Sequence, residues 1–476
     1  MSIFCFAGKS AVLQIDSNGC ISSLRLKNGT ELVGRPIPLI VAELQDGSQL
    51  ISEKITDSGS GFLCSDWGLR GKIELKIDVQ KDYFRFVLQK ISISGLKLLR
   101  YCQIAPACKK YIGQMGGMFS DDVNMVCLRS LSLKGSVEIP VSDPILSAYA
   151  EAEWAGGDTA CALVAAPRDR IIEILQNMTE NEAVPKSVSG GAWALRSEIA
   201  RGSYVFADLR SKDTEQWIKL ARRGYFSFIH LHAWWHTLGH YEVNRNFYPD
   251  GIADMKKAVD KIHAAGLKAS FHTLTACIEP DDSWVTPVPA DDLIASARYT
   301  LSRPTDEKDE VIYVHEKPAD IHDLVWSYSS NGNAIKIGQE IIQYQEISRE
   351  EPYCFKKCIR GAFGTSASKH AQDAEAAYLQ QRYLAFYPEP DGKTADALAD
   401  AITDTYKYLN LDGMYYDGSE GMRSRYGTDV MRWKIFQRLP ENAVIEASNW
   451  NHNDWWFHTR LGAEGRSSSA SGPPSR

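Results

Sequence analysis

Two rhythms divide the chain. From residue 1 to about 190, short runs alternate apolar and polar positions. In KIELKIDVQKDYFRFVLQKISIS, Ile73, Leu75, Ile77 and Val79 share one face, with Lys72, Lys76 and Asp78 on the other, the period of a strand with one buried side. AVLQIDSNGCISSLRLKNGTELVG interrupts such runs at Ser17-Asn18-Gly19 and Asn28-Gly29, which are hairpin turn signals. Many short strands with little helix predict an N-terminal antiparallel β-sandwich over residues 1–205.

After about residue 212 the period lengthens. GIADMKKAVDKIHAAGLKASFHTLTACI places Ile252, Met255, Val259 and Ile262 on one helical face, stops at Gly266 and continues as a strand. DTEQWIKLARRGYFSFIHLHAWW, TADALADAITDTYKYLNLDGMYYDG and GTDVMRWKIFQRLPENAVIEASN repeat the plan. Helix and strand in alternation predict a parallel sheet, and units of roughly 30 residues predict a (β/α)8-type barrel over residues 206–463. The expected strand ends are His232, His272, Tyr387, Asp417 and Glu446, at intervals of 40, 115, 30 and 29 residues. The long interval is read as one unit plus a small β-rich insertion, residues 288–375. Only about five strands are accounted for, so the barrel is expected to be incomplete. Residues 464–476, small and polar, are expected to form a disordered tail.

Composition adds little beyond exclusions. The 476 residues are 44% hydrophobic and 24% charged, with a formal net charge of −7. No basic block marks a nucleic-acid partner, and no apolar run approaches the roughly 18 residues of a membrane span. The N-terminus lacks the basic leader of a signal peptide, so a cytoplasmic location is expected, with a secreted or periplasmic one if a leader precedes it. The ten cysteines form no paired framework or zinc spacing and read as free thiols, mostly buried.

Side chains at the C-terminal ends of parallel barrel strands converge on one mouth. Here those ends carry carboxylates, histidines and flat aromatics, the composition of a carbohydrate site. Glycosidic cleavage needs two carboxyl groups of separated acidity. Asp417, followed by Gly418, is the expected nucleophile and Glu446 its partner. His232, Trp234, His272, Tyr387, Glu420, Asn449 and Trp450 are the expected substrate-binding residues, with Glu420 an alternative acid and Trp235, Trp455 and Trp456 further subsite aromatics. No cofactor and no metal are expected. His230 and His232 leave open a metal-dependent hydrolase, and a non-catalytic carbohydrate-binding protein is the third reading.

The sandwich-then-barrel plan, with LDGMYYDG at the fourth expected strand and HAAGLKASFHT leading into the second, resembles the retaining α-glycosidases of the α-galactosidase superfamily. That resemblance implies that Asp417 is the nucleophile and that a carbohydrate is the substrate, in keeping with polysaccharide degradation. The aromatic-Asp-Gly ending is also similar to α-L-fucosidases, whose sandwich follows the barrel. Two features depart from the α-galactosidase pattern. Its acid/base lies on a sixth strand, and its lysine two residues before the nucleophile is Tyr415 here.

Overall fold

The computed structural model describes residues 3–52, 54–59, 61–113, 116–140, 143–188, 196–319, 321, 331–448 and 451–456. Expectations for Asn449, Trp450 and the tail 464–476 lie outside them. The chain divides into two compact units, one of residues 1–186 with 450–456 and one of 187–449 with 457–476.

In the first unit the alternating runs pair antiparallel throughout the described strands, in sheets of four, eight and six strands. Lys72–Val79 pairs with Phe84–Ser92, so that Ile73, Leu75 and Ile77 turn inward. They join Leu13, Phe86, Leu99 and Leu163 in one apolar core. Residues 451–456 pack into this unit rather than the second. His452 Nε2 accepts the Ser130 N–H at 2.9 Å, and the Trp455 and Trp456 indoles donate to the Ser130 carbonyl. Those tryptophans are buried structural residues, which corrects their reading as subsite aromatics.

The second unit is built on a five-stranded parallel sheet: β1 (Tyr204–Ala207), β2 (Phe228–Leu231), β3 (Lys268–Leu274), β4 (Gly413–Asp417) and β5 (Val444–Ala447), paired in that order. Helices α1 (Thr214–Arg223), α2 (Ile252–Ala264), α3 (Lys393–Leu409) and α4 (Arg425–Phe436) connect them. In α2, Met255, Ala258, Val259 and Ile262 are buried, the i, i+3, i+4 stripe of a helix with one face on a sheet. Helix α3 ends on Asn410 at φ 56°, and the Ser424 side chain caps α4 by accepting from Gly427 N–H.

The strand count agrees with expectation but the strands do not. Tyr204–Ala207 is a strand of the parallel sheet, although the sequence assigns it to the end of the sandwich. Its four residues, two half-buried, one exposed and one buried, carry almost no pattern. Tyr387 lies on no strand of the sheet. Ala385–Phe386 pairs antiparallel with Gln381–Arg382 and bridges Ile278, and β3 pairs directly with β4. The whole of 275–412 is thus one connection, whose α3 segment returns the chain to the sheet. Within it, residues 295–379 form a four-stranded and a three-stranded antiparallel sheet around their own core of Leu301, Ile312, Ile335, Tyr344, Phe355 and Tyr378. Among the described residues β1 and β5 are edges and the sheet is not closed. It is strongly curled, since the Tyr204 hydroxyl on β1 donates to Glu446 Oε1 on β5 at 2.9 Å. No described helix is long and apolar enough to cross a membrane.

Candidate active site

Period-two alternation sends Phe206, His230, His272, Tyr415, Asp417 and Glu446 toward the concave face. His272 is the hub. Its ring stacks on Tyr415, with centroids 4.8 Å apart, and faces Trp235 at 6.1 Å. A hydrogen-bonded chain runs through it. Ser270 Oγ lies 2.8 Å from His230 Nδ1, His230 Nε2 lies 3.4 Å from His272 Nδ1, and His272 Nε2 lies 3.2 Å from Asp417 Oδ2. One assignment of protons satisfies the chain: each group donates to the next and Asp417 only accepts.

Asp417 ends β4, and its second oxygen accepts from the Ser448 hydroxyl at 2.6 Å and its neighbour Gly418 N–H at 2.9 Å. Burial alone would raise its pKa, but the hydrogen bonds from His272, Ser448 and Gly418 outweigh it and hold the carboxyl below its ordinary value. Asp417 is therefore a carboxylate at neutral pH, still 30% exposed. Gly418 turns the chain at φ 71°, where a Cβ would sit 3.0 Å from Cys277 Sγ, so only glycine fits both the conformation and the space.

Glu446 does not share that position. The parallel register sets it beside Tyr415, one layer below Asp417, and Ser448, just past β5, meets Asp417 instead. It is 7% exposed and lines, with Tyr204, His230 and Ser270, a cavity with room of about 10 Å³, about one water. The structure thus sets Glu446 apart from the Asp417 layer. The reason is a two-residue offset along adjacent strands, about 6.6 Å of rise.

Two other carboxylates, Glu420 and Glu279, share with Asp417 the electrostatic surroundings of the buried Cys277 thiol. Cys277 is pushed up to about 12 by burial first, with the charges of Glu420, Asp417 and Glu279 adding to it. Glu420 accepts from the Tyr383 hydroxyl at 3.1 Å. Glu279 accepts from Leu238 N–H at 2.8 Å, and burial, reinforced by Asp281 and Asp282, raises its carboxyl above the ordinary value. Sequence reasoning passed over Glu279. Its signal was the EPDD run just past β3.

The substrate-binding expectations separate in the same way. Trp234 is fully enclosed between Phe271 and Tyr241, at 4.9 and 5.5 Å, with its indole N–H on the His272 carbonyl. It is core, and its neighbour Trp235 takes the face toward His272. Tyr387 is also fully buried, its hydroxyl among the Arg382 and Gly418 carbonyls, and supports the turn after Asp417 rather than a ligand. His272 is buried against Asp417. His232 is half exposed, 2.9 Å from Asp208. His230 and His232 are thus held by different partners, and no described group of three or more His, Cys, Asp or Glu is arranged to hold a metal ion.

No family model and no curated protein matches the chain. Solved structures do match, and they are multidomain, sheet-rich glycoside hydrolases. The α-N-acetylgalactosaminidase NagBb from Bifidobacterium bifidum, in its GalNAc complex, aligns with a TM-score of 0.53 at 10% identity, over 99% of this chain and 81% of that one. A quadruple mutant of that enzyme aligns at 0.51 and 10% identity, over 99% and 82%. An α-galactosidase from Lactobacillus brevis aligns at 0.48 and 10%, over 98% and 74%. The likeness is one of fold, and it agrees with the resemblance read from LDGMYYDG.

Proposed function

We propose that the protein is a glycoside hydrolase acting on an α-linked galactose-type sugar. The observation that carries the reading is Asp417: an ionised, partly exposed carboxylate at the C-terminal end of a parallel strand, oriented by three donors. The fold shared with enzymes that act on α-galactosides and N-acetyl-α-galactosaminides supports the substrate class. In the reaction, Asp417 attacks the anomeric carbon as the bond to the leaving oxygen breaks, and a carboxylic acid gives that oxygen its proton. Water then reverses the displacement, and the configuration is retained. The acid must keep its proton near neutral pH. Glu279, whose carboxyl burial pushes upward, is the residue we assign that role.

The decisive experiment is hydrolysis of p-nitrophenyl α-D-galactoside and its N-acetylgalactosaminide counterpart. Asp417→Asn should lower kcat/KM by several orders of magnitude, about 10³-fold or more. Activity equal to wild type in that variant sinks the assignment.

A further inference from the structure

The long β3–β4 connection does more than cross the surface. Its return segment, residues 380–387, grips the Gly418–Gly421 turn at three points. Gln380 Nε2 donates to the Gly421 carbonyl, the Tyr383 hydroxyl to Glu420 Oε1 at 3.1 Å, and the Tyr387 hydroxyl approaches the Gly418 carbonyl at 3.5 Å. The fit is close enough that a Cβ on Gly421 would collide with the Tyr387 hydroxyl.

Two oddities sit at this contact. Tyr383 and Leu384 form the two-residue turn between Gln381–Arg382 and Ala385–Phe386, with φ of 56° and 61°. Hairpin turns of that kind favour Asn-Gly, because bulky L-residues crowd the following carbonyl in the left-handed region. Strain of this sort persists where the surroundings impose it, and it gathers at functional sites. The second oddity is Glu420 Oε2, a buried carboxylate oxygen with no hydrogen-bond partner. Such an atom needs a donor, and its other oxygen is already held by Tyr383.

We propose that the return hairpin is a working part of the mouth: Tyr383 holds Glu420 so that its free oxygen accepts a hydroxyl of the bound sugar. The inference rests on the carbohydrate reading above. Tyr383 is then a positioning residue, Glu420 a substrate ligand, and the insertion a determinant of which sugar fits. The strained turn is the cost of aiming a tyrosine where an unstrained one would need Asn-Gly.

The test is calorimetric titration with methyl α-D-galactoside and methyl N-acetyl-α-D-galactosaminide. The wild type, Tyr383→Phe, Glu420→Gln, Asp417→Asn and a Tyr383→Asn/Leu384→Gly double variant are compared, each with its Tm. The wild type should bind at least one of the two. Tyr383→Phe and Glu420→Gln should weaken binding about tenfold or more at little change in Tm, a loss of one hydrogen bond to a charged group. The relaxed double variant should melt no lower than wild type while also binding about tenfold more weakly. A tyrosine serving only the turn would leave its binding intact. Binding within twofold of wild type in Tyr383→Phe, or no binding of either glycoside by the wild type, overturns the proposal. Tyr383-dependent binding together with undiminished turnover in Asp417→Asn would leave the clamp standing and remove the nucleophile instead.

Discussion

At the scale of residues, the proposed reaction rests on opposite shifts in two carboxyls. Asp417 is held low by His272, Ser448 and Gly418, and Glu279 is raised by burial and by Asp281 and Asp282. The acid limb of the pH–rate profile should therefore fall below the ordinary carboxylate range, and the alkaline limb should fall above it. Glu279→Gln should remove the alkaline limb, as a profile of kcat/KM will show. The His272 hydrogen bond lowers the Asp417 pKa, so His272→Ala should move the acid limb upward. An unmoved limb would mean that His272 only packs. Neighbouring positions show what could be read beforehand. Asp417 was legible because GMYYDG places an acid at a strand end before a glycine. Trp234 and Trp235 were not distinguishable, because both are tryptophans in one loop and only packing against Phe271 and Tyr241 encloses the first.

At the scale of elements, the insertion is centred on Glu340, which is fully buried. Burial alone would push its carboxyl up, but donors on His370, Arg360, Gly361 N and Ser368 N outweigh it and pull it down to about 2. With a folded pKa below the unfolded one, its stabilisation is full above the unfolded value of roughly 4.3 and is lost as pH falls toward 2. Acid titration followed by circular dichroism should show this in the wild type and not in Glu340→Gln. That variant leaves Arg360, 7% exposed in its side chain, without a counter-charge, at a cost of about 3–5 kcal/mol. Helices were legible as elements because a 3.6-residue stripe over more than ten residues is a strong signal. Tyr204–Ala207 was missed because a four-residue edge strand carries almost no periodicity. The run ending at Tyr387 was misassigned because a short apolar run is ambiguous until its pairing is known.

At the scale of the whole molecule, all ten cysteines are free thiols, and only Cys5 is exposed. A thiol reagent should label about one cysteine quickly in the native protein, with Cys20 and Cys64 slower, and all ten in denaturant. Fewer than ten in denaturant would reveal a disulfide.

By itself the sequence determined the two rhythms, and with them an antiparallel unit followed by a parallel one and the placing of Asp417 at a strand end. These follow from local periodicity, which each segment carries whatever its neighbours do. Tertiary structure alone decided which side chains stand level with Asp417. The two-residue offset that puts Ser448, not Glu446, level with Asp417 is a property of strand register. The meeting of Tyr383 with Glu420 depends on how a long connection folds back, and no local pattern encodes either.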